Sequence, residues 1–386
     1  MLTPEEADVW QLEDRLPAEV VALRDRVRAY IDQALRPHLP SWWEAGHLPA
    51  FVISDLADLQ AFGGEAGTLS RSAGLWQGVL MRELERADSG LRSLVSVHAH
   101  LAMEAIARYG TADQIAEWLA PMRRGERLGC FALTDVQSGS DPAAMQTTCR
   151  WTGAEWRISG QKRWVTNGTR AAIGVVWARE EPDGPIRGFL LPTDHPGLRR
   201  EPIGFKGSLR LSDSAVWHLD LRLDEGWRLP GAQGLGAALA CLNQARYGIA
   251  WGVVGAAMDC VAEAKAYVTQ RSAFGRALAA TQLVQEAWVG CVARLGLMQL
   301  TAFRLAELRD AQALHPLQIS LAKRDNVRMA LWVARKAREL MGAEGISWRH
   351  GPMRHLANLE TVDTYEGTYA VHTLAIGRQL LGSNAF

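Results

Sequence analysis

Cysteine is scarce in this chain. The five residues present (Cys130, Cys149, Cys241, Cys260 and Cys291) are odd in number, scattered, and never form a CxxC pair. That arrangement argues against a disulfide framework and against a metal site, and it fits a reducing, cytoplasmic setting. Net charge is also lacking. Lys and Arg number 42 and Asp and Glu 42, so no global field draws the chain to nucleic acid or to an anionic membrane. Any anionic ligand has to be held by local charges. Long apolar runs are missing: the most apolar stretch, Ile249 to Met258, is cut by Asp259 well before it could span a bilayer. The start, Met1-Leu2-Thr3-Pro4-Glu5-Glu6, is acidic with no apolar segment behind it, which argues against a signal or transit peptide. No internal repeat or low-complexity tract occurs. A soluble protein of two or three packed units is expected from 386 residues.

What is present divides into three regions by period. From Pro17 to Arg124 apolar residues recur at helical steps: Val20, Val21, Leu23, Val27, Tyr30 and Ile31. Pro37, Pro40 and Gly46 break the chain before a short helix over Phe51 to Leu59, and further helices follow over Trp76 to Ala87 and Leu91 to Arg108. From Leu128 to Leu229 the pattern is that of strands. Trp151 and Trp156 flank a hairpin turn, and Leu219, Leu221 and Leu223 alternate with Asp220 and Arg222. From Gly234 helices return, over Gly236–Arg271, Thr281–Ala311, Pro316–Met341 and Tyr369–Leu381. The expected fold is α+β: an N-terminal α-helical domain (1–125), a central antiparallel β-barrel or sandwich domain (126–232), and a C-terminal four-helix bundle (233–386). Gly248, Gly252 and Gly255 inside a long helix predict close approach of a neighbouring helix. Most of the 15 tryptophans read as core fillers with a partnered N–H.

Four short constellations carry chemistry. Leu133 to Asp141 is a Ser- and Gly-rich loop whose backbone can approach a flat or phosphorylated ligand, or is simply a loop. Lys162 to Gly168 places Trp164 and Thr166 two residues apart on one strand, an aromatic plane and a hydroxyl on one face. An ordinary hairpin closed at Asn167-Gly168 is the alternative. Arg271 to Gly275, followed by Gln282, lies between two helices and could set a guanidinium on a phosphate, or be a plain helix junction. Asp363 to Thr368 contains Glu366 between Tyr365 and Gly367, either a base or an acid capping the next helix.

Taken together, in this order and at these spacings, the motifs resemble the acyl-CoA dehydrogenase family over nearly the whole chain, from Pro40 to Phe386. Within that family the likeness is to the glutaryl-CoA dehydrogenases. It rests on Arg82 to Ser93, on Cys241 to Gly252, and on Asn358 to Gly367. The resemblance implies FAD as cofactor. Phe131, Leu133, Thr134, Ser140, Trp164 and Thr166 would surround the flavin, with Thr368 and Phe386 completing the site. Arg271, Phe274 and Gln282 would reach the FAD of a neighbouring subunit in a homotetramer, with Glu339, Gly342 and Ala343 along its adenosine diphosphate.

The resemblance also implies that Glu366 is the base that removes the substrate α-proton. Arg92 would bind the free carboxylate of the acyl chain, with Ser93, Ser96, Glu85, Tyr365 and Gly367 around it. Asn243, Arg246 and Ser140 would lie along the CoA thioester. The implied reaction is oxidative decarboxylation of glutaryl-CoA to crotonyl-CoA and CO2, with electrons passed to an electron-transfer flavoprotein. Taken alone, Arg92 is a cation in what reads as a first helical turn, where a surface charge or a partner of Asp88 would serve as well. The chain departs from the family at Ala343, Glu344, Tyr369 and Ala370, and the loop Phe62 to Gly67 is short. These departures leave open a non-decarboxylating or other short-chain dehydrogenase, or a flavin-free CoA-thioester-binding protein.

Overall fold

A computed structural model describes residues 8–63 and 73–384. Phe386 and most of the short loop ending at Gly67 fall outside the described residues. The N-terminal helices are α1 (Ala18–Tyr30), α2 (Leu39–Ala45), α3 (Phe51–Asp58), α4 (Ala73–Ala87), α5 (Ser89–Val95), α6 (Glu104–Tyr109) and α7 (Ala112–Arg123). Val20, Leu23 and Val27 of α1 are buried, and a wider turn over Ile31–Leu35 carries the same stripe on to Ile31 and Leu35. The stretch read as a break contains a helix, because Pro40 sits in the first turn of α2, where its missing N–H costs nothing. The helix expected over Leu91 to Arg108 is present, running from α5 through an eight-residue π-helical stretch, Ser96–Met103, into α6.

Eight strands follow: β1 (Gly129–Ala132), β2 (Thr148–Trp151), β3 (Trp156–Thr166), β4 (Ile173–Glu180), β5 (Ile186–Pro192), β6 (Leu198–Pro202), β7 (Ser214–Leu223) and β8 (Arg228–Gln233). They form one sheet in the order β6-β7-β3-β2-β4-β5-β8, with β1 on β4. The Trp151–Trp156 hairpin is as expected, with the two residues directly paired. The sheet is not wholly antiparallel, since β1 and β2 both run parallel to β4. Strand β4 is buried on both faces. Ile173, Val175 and Trp177 join the helical core, while Val176 and Ala178 join a second core with Trp156, Phe189 and Trp217. Asn167-Gly168 closes no hairpin. Asn167 leaves β3 in the left-handed region at φ 64°, and its amide donates to Leu94 O and Gly129 O, both at 3.2 Å. This bond ties the strand end to α5.

The second helical region holds α8 (Leu235–Gln270), α9 (Gln282–Asp310), α10 (Pro316–Leu340), α11 (Gly351–Thr364) and α12 (Tyr369–Leu381). The four helices expected here are present as α8, α9, α10 and α12, with α11 added between α10 and α12; α12 lies on α10, α11 on α10 and α8, and α4 of the first region packs on α8 and α9. The glycines of α8 explain the close fit. A side chain at Gly255 would overlap Arg82 O at 1.8 Å, and one at Gly252 would overlap Glu85 Oε2 at 2.1 Å. By length and composition α9 could cross a membrane, but half of its most apolar window is buried inside the protein. The tryptophan expectation holds for Trp156 and Trp217, which donate to Glu225 and Gly168. It fails for Trp43 and Trp177, whose buried N–H groups meet no protein acceptor.

Candidate active site

The turn between α11 and α12 is the centre of the site. Thr368, not Glu366, caps α12, its Oγ1 accepting from Val371 N at 3.1 Å. Glu366 is thereby free of a capping role. It adopts φ 52°, with Gly367 at 98°, so the turn is left-handed at a non-glycine residue, a conformation that persists only when its surroundings enforce it. Its Oε2 is sealed from solvent with no hydrogen-bond partner. Burial raises the Glu366 carboxyl above its ordinary value, against the pull of Arg92, Arg246 and Lys323.

Arg92 comes to this turn from α5. It is neither a surface charge nor a partner of Asp88, which instead caps α5 through Gly90 N and accepts from Asn358. Arg92 is fully buried. Its Nε donates to Glu85 Oε2 at 2.7 Å, and its Nη2 donates to the Tyr365 hydroxyl. Glu85 Oε1 accepts in turn from Ser89 Oγ at 2.8 Å. Ser93 Oγ lies 3.4 Å from Tyr365 Oη. Burial pushes the Tyr365 phenol up to about 12, although the neighbouring guanidinium opposes it. Ser96 is buried one turn beyond Arg92, its hydroxyl without a protein partner. From α8, Arg246 Nε donates to Glu366 O at 2.7 Å and Nη1 to Asn243 Oδ1 at 3.3 Å. The structure thus brings Glu85, Arg92, Ser93, Arg246, Asn243, Tyr365, Glu366 and Gly367 together.

Sequence reasoning missed Lys323, which rises from α10 and donates to Tyr365 O at 3.1 Å and Gly367 O at 2.7 Å. A signal was present: Lys323 falls among Ile319, Ala322, Asn326 and Ala330 on the buried stripe of α10, where a lysine is out of place. It also missed Lys162 and Asp135. Lys162 Nζ donates to Leu133 O at 2.8 Å and to Asp135 Oδ1 at 2.5 Å, and Asp135 accepts from Gln146 N, Thr147 N and Thr147 Oγ1. This buried knot holds the Ser- and Gly-rich loop on β3.

The other motif residues occupy two further places. Phe131 and Leu133 are buried at the end of β1, Thr134 is half-buried, and Ser140 is exposed on the loop. Trp164 is 53% exposed at φ 60°, where the pairing of β3 with β7 shifts register between Lys162 and Val165, and Thr166 beyond it is half-buried. A large exposed indole and a hydroxyl beside a backbone loop, with the Ser138 hydroxyl buried and unpartnered, suit a flat heteroaromatic ligand with polar edges. Arg271 begins a ribbon of β9 (Ser272–Ala273) and β10 (Arg276–Ala277) in place of a plain helix junction. Phe274 at its tip is fully exposed, and Gln282 is exposed beside it. Arg271, Glu339 and Gly342 line one open groove of about 450 Å³. Ala343 is exposed at its margin, and Glu344 turns toward His350 Nε2 at 3.6 Å.

Three family models match the chain in order: the acyl-CoA dehydrogenase N-terminal domain over residues 17–126, the middle domain over 130–220, and the C-terminal domain over 232–381. The chain belongs to the acyl-CoA dehydrogenase family, whose members depend on FAD. More particularly, it is similar to glutaryl-CoA dehydrogenase from Mycobacterium smegmatis, at 44% identity and a TM-score of 0.93, covering 97% of each chain. A glutaryl-CoA dehydrogenase from the same organism in complex with FADH2 is 40% identical, with a TM-score of 0.94 over 98% of each chain. The mitochondrial short-chain specific acyl-CoA dehydrogenase of Bos taurus is 30% identical over 95% of this chain and 91% of its own length.

Proposed function

We propose that this acyl-CoA dehydrogenase oxidises and decarboxylates glutaryl-CoA to crotonyl-CoA and CO2. The observation that carries the reading is a fully buried guanidinium, Arg92, hydrogen-bonded to the residue next to Glu366, whose Oε2 is sealed from solvent. A planar fork held in a fixed orientation by Glu85 and Tyr365 suits a carboxylate at the far end of a short acyl chain. The similarity to the mycobacterial glutaryl-CoA dehydrogenases supports the same substrate.

FAD would be held by Phe131, Leu133, Thr134, Ser140, Trp164, Thr166 and Thr368, and when bound would supply the acceptor for the β-hydride. The chain's own residues do the rest. Glu366, its Oε2 without a hydrogen-bond partner, takes the α-proton, and burial makes it a stronger base than a solvated glutamate. Arg246 and Asn243 border the thioester path. Once the double bond is formed, the carboxylate on Arg92 leaves as CO2. Its bonding electrons pass into the conjugated thioester, and protonated Glu366 returns a proton to the terminal carbon. Electrons then go to an electron-transfer flavoprotein. The exposed Phe274, and Val289, Leu297 and Leu300 exposed along α9, fit burial against further copies in a homotetramer.

A second reading, oxidation of an uncharged short acyl chain, is favoured by the Glu85 carboxylate already on Arg92 and by the likeness to the bovine enzyme. Anaerobic titration of the purified flavoprotein separates the two. Bleaching by glutaryl-CoA with release of CO2 is expected. Bleaching by butyryl-CoA alone, or glutaryl-CoA turnover without CO2, refutes the decarboxylase reading.

A further inference from the structure

Three successive carbonyls of the Glu366 turn are held by two cations, buried Lys323 and half-buried Arg246. Lys323 Nζ takes those of Tyr365 and Gly367, and Arg246 Nε takes that of Glu366 between them. Lys323 is 1% exposed, and its hydrogen bonds go to carbonyls rather than to a carboxylate. A buried ammonium is costly to keep, and simple packing on this stripe of α10 would be met by an apolar residue. The two carbonyls it takes flank the one residue in the turn whose left-handed backbone needs support.

On the reading of Glu366 as the base, we propose that Lys323 is a positioning residue for it. From beneath the turn it pins the backbone on both sides of Glu366, fixes the direction of the carboxylate, and lends it a buried positive charge. The charged and titratable groups facing Lys323 are Glu366 and Asp363 from the end of α11 and its turn, Arg246 from α8, Arg92 from α5 and His372 from α12. Burial pushes the Lys323 ammonium down to about 8, Glu366 and Asp363 oppose that fall, and Arg246 and Arg92 add to it. Arg246 cannot substitute for Lys323, because its Nε is committed to the middle carbonyl.

The sign of the effect follows from the charges. Removing a cation from beside Glu366 raises its carboxyl further, so the ionised base appears only at higher pH. A residue that merely packs would lower activity or stability without moving that limb. The test is exchange of the substrate α-proton for deuterium, read by mass spectrometry across pH, which reports the base apart from hydride transfer. Lys323→Met is expected to slow exchange roughly 100-fold, as misplacement of a reacting group does, and to move the acid limb up by about one pH unit. Lys323→Arg keeps the charge and is expected to leave the limb where the parent has it. Thermal unfolding and CoA-ester binding serve as fold controls, and Lys323→Gln replaces the methionine variant should that not fold. A neutral variant with the parent's limb, or an arginine variant shifted as far as the neutral one, overturns the proposal. Glu366→Gln run alongside tests the underlying reading: if it exchanges normally, the base lies elsewhere, whatever Lys323 does.

Discussion

A methyl group added at Gly252 tests how the Arg92 guanidinium is held. The new Cβ would lie 2.1 Å from Glu85 Oε2, 3.1 Å from Glu85 Cδ and 3.2 Å from Arg92 Nε. Ordinary contact begins near 3.4 Å, so the Glu85 head has to retreat by more than an ångström. It has little freedom to do so. Glu85 is fully buried, Oε2 is the acceptor for Arg92 Nε, and Oε1 is held by Ser89. Retreat therefore breaks a buried ion pair and strands a buried guanidinium, which costs about 3–5 kcal/mol. Alanine returns up to about 1 kcal/mol of helix propensity. The net loss is about 2–4 kcal/mol in unfolding free energy, measured by denaturant titration beside the parent. Because Glu85 orients Arg92, glutaryl-CoA turnover should fall more than butyryl-CoA turnover. Combining Gly252→Ala with Glu85→Ala should cost less than the sum of the two, since the clash partner is gone. A Gly252→Ala variant as stable as the parent, with unchanged preference between the two thioesters, would refute the reasoning.

Two further outcomes are expected. Arg92→Ala should lower glutaryl-CoA turnover by about 100-fold or more while butyryl-CoA turnover falls much less, and equal losses on both would make Arg92 structural. Acid stability should depend on Glu83: burial would raise its carboxyl, but Arg82 and Arg28 overcome burial and hold it down to about 2. Its folded value is below its unfolded one, so its contribution is complete above the ordinary carboxylate value of 4.5 and is lost as pH falls toward 2. Glu83→Gln should therefore be less stable at neutral pH and show a flatter loss of stability over that acid range; parallel curves would dismiss the pair network.

Periodicity made the order of helices, sheet and helices legible, because burial on one face leaves a trace every three to four residues or every two. The α1 stripe and the β7 alternation of Leu219, Leu221 and Leu223 were read that way. Proline misled where it starts a helix rather than stopping one, as at Pro40. The parallel pairing of β1 and β2 with β4 left no local mark, since strand direction is decided by connections, not by the residues within a strand. Which helices of the two helical regions pack against each other left no local mark either. Helix α4 belongs to the first region of the chain, and only its fit against the glycines of α8 brings it among the later helices.

At the site, the residues that the structure brings together around Glu366 were read through their motifs, but the cation beneath the turn was not. Arg92 read as an awkward surface cation because its compensating carboxylate, Glu85, sits on the preceding helix, across a boundary at Asp88. Lys323 and Glu366 are far apart in the chain and meet only because α10 and the α11–α12 turn pack together. A buried charge is intelligible only with its partners, and the partners are set by tertiary packing. Conversely, a charged residue on a stripe that is otherwise apolar is the one trace such a pair leaves in a sequence. Lys323 on α10, Arg82 and Glu83 on α4, and Asp259 on α8 all bear it, and each proves buried and partnered. Among them only Lys323 commits its charge to backbone carbonyls, and those carbonyls flank Glu366.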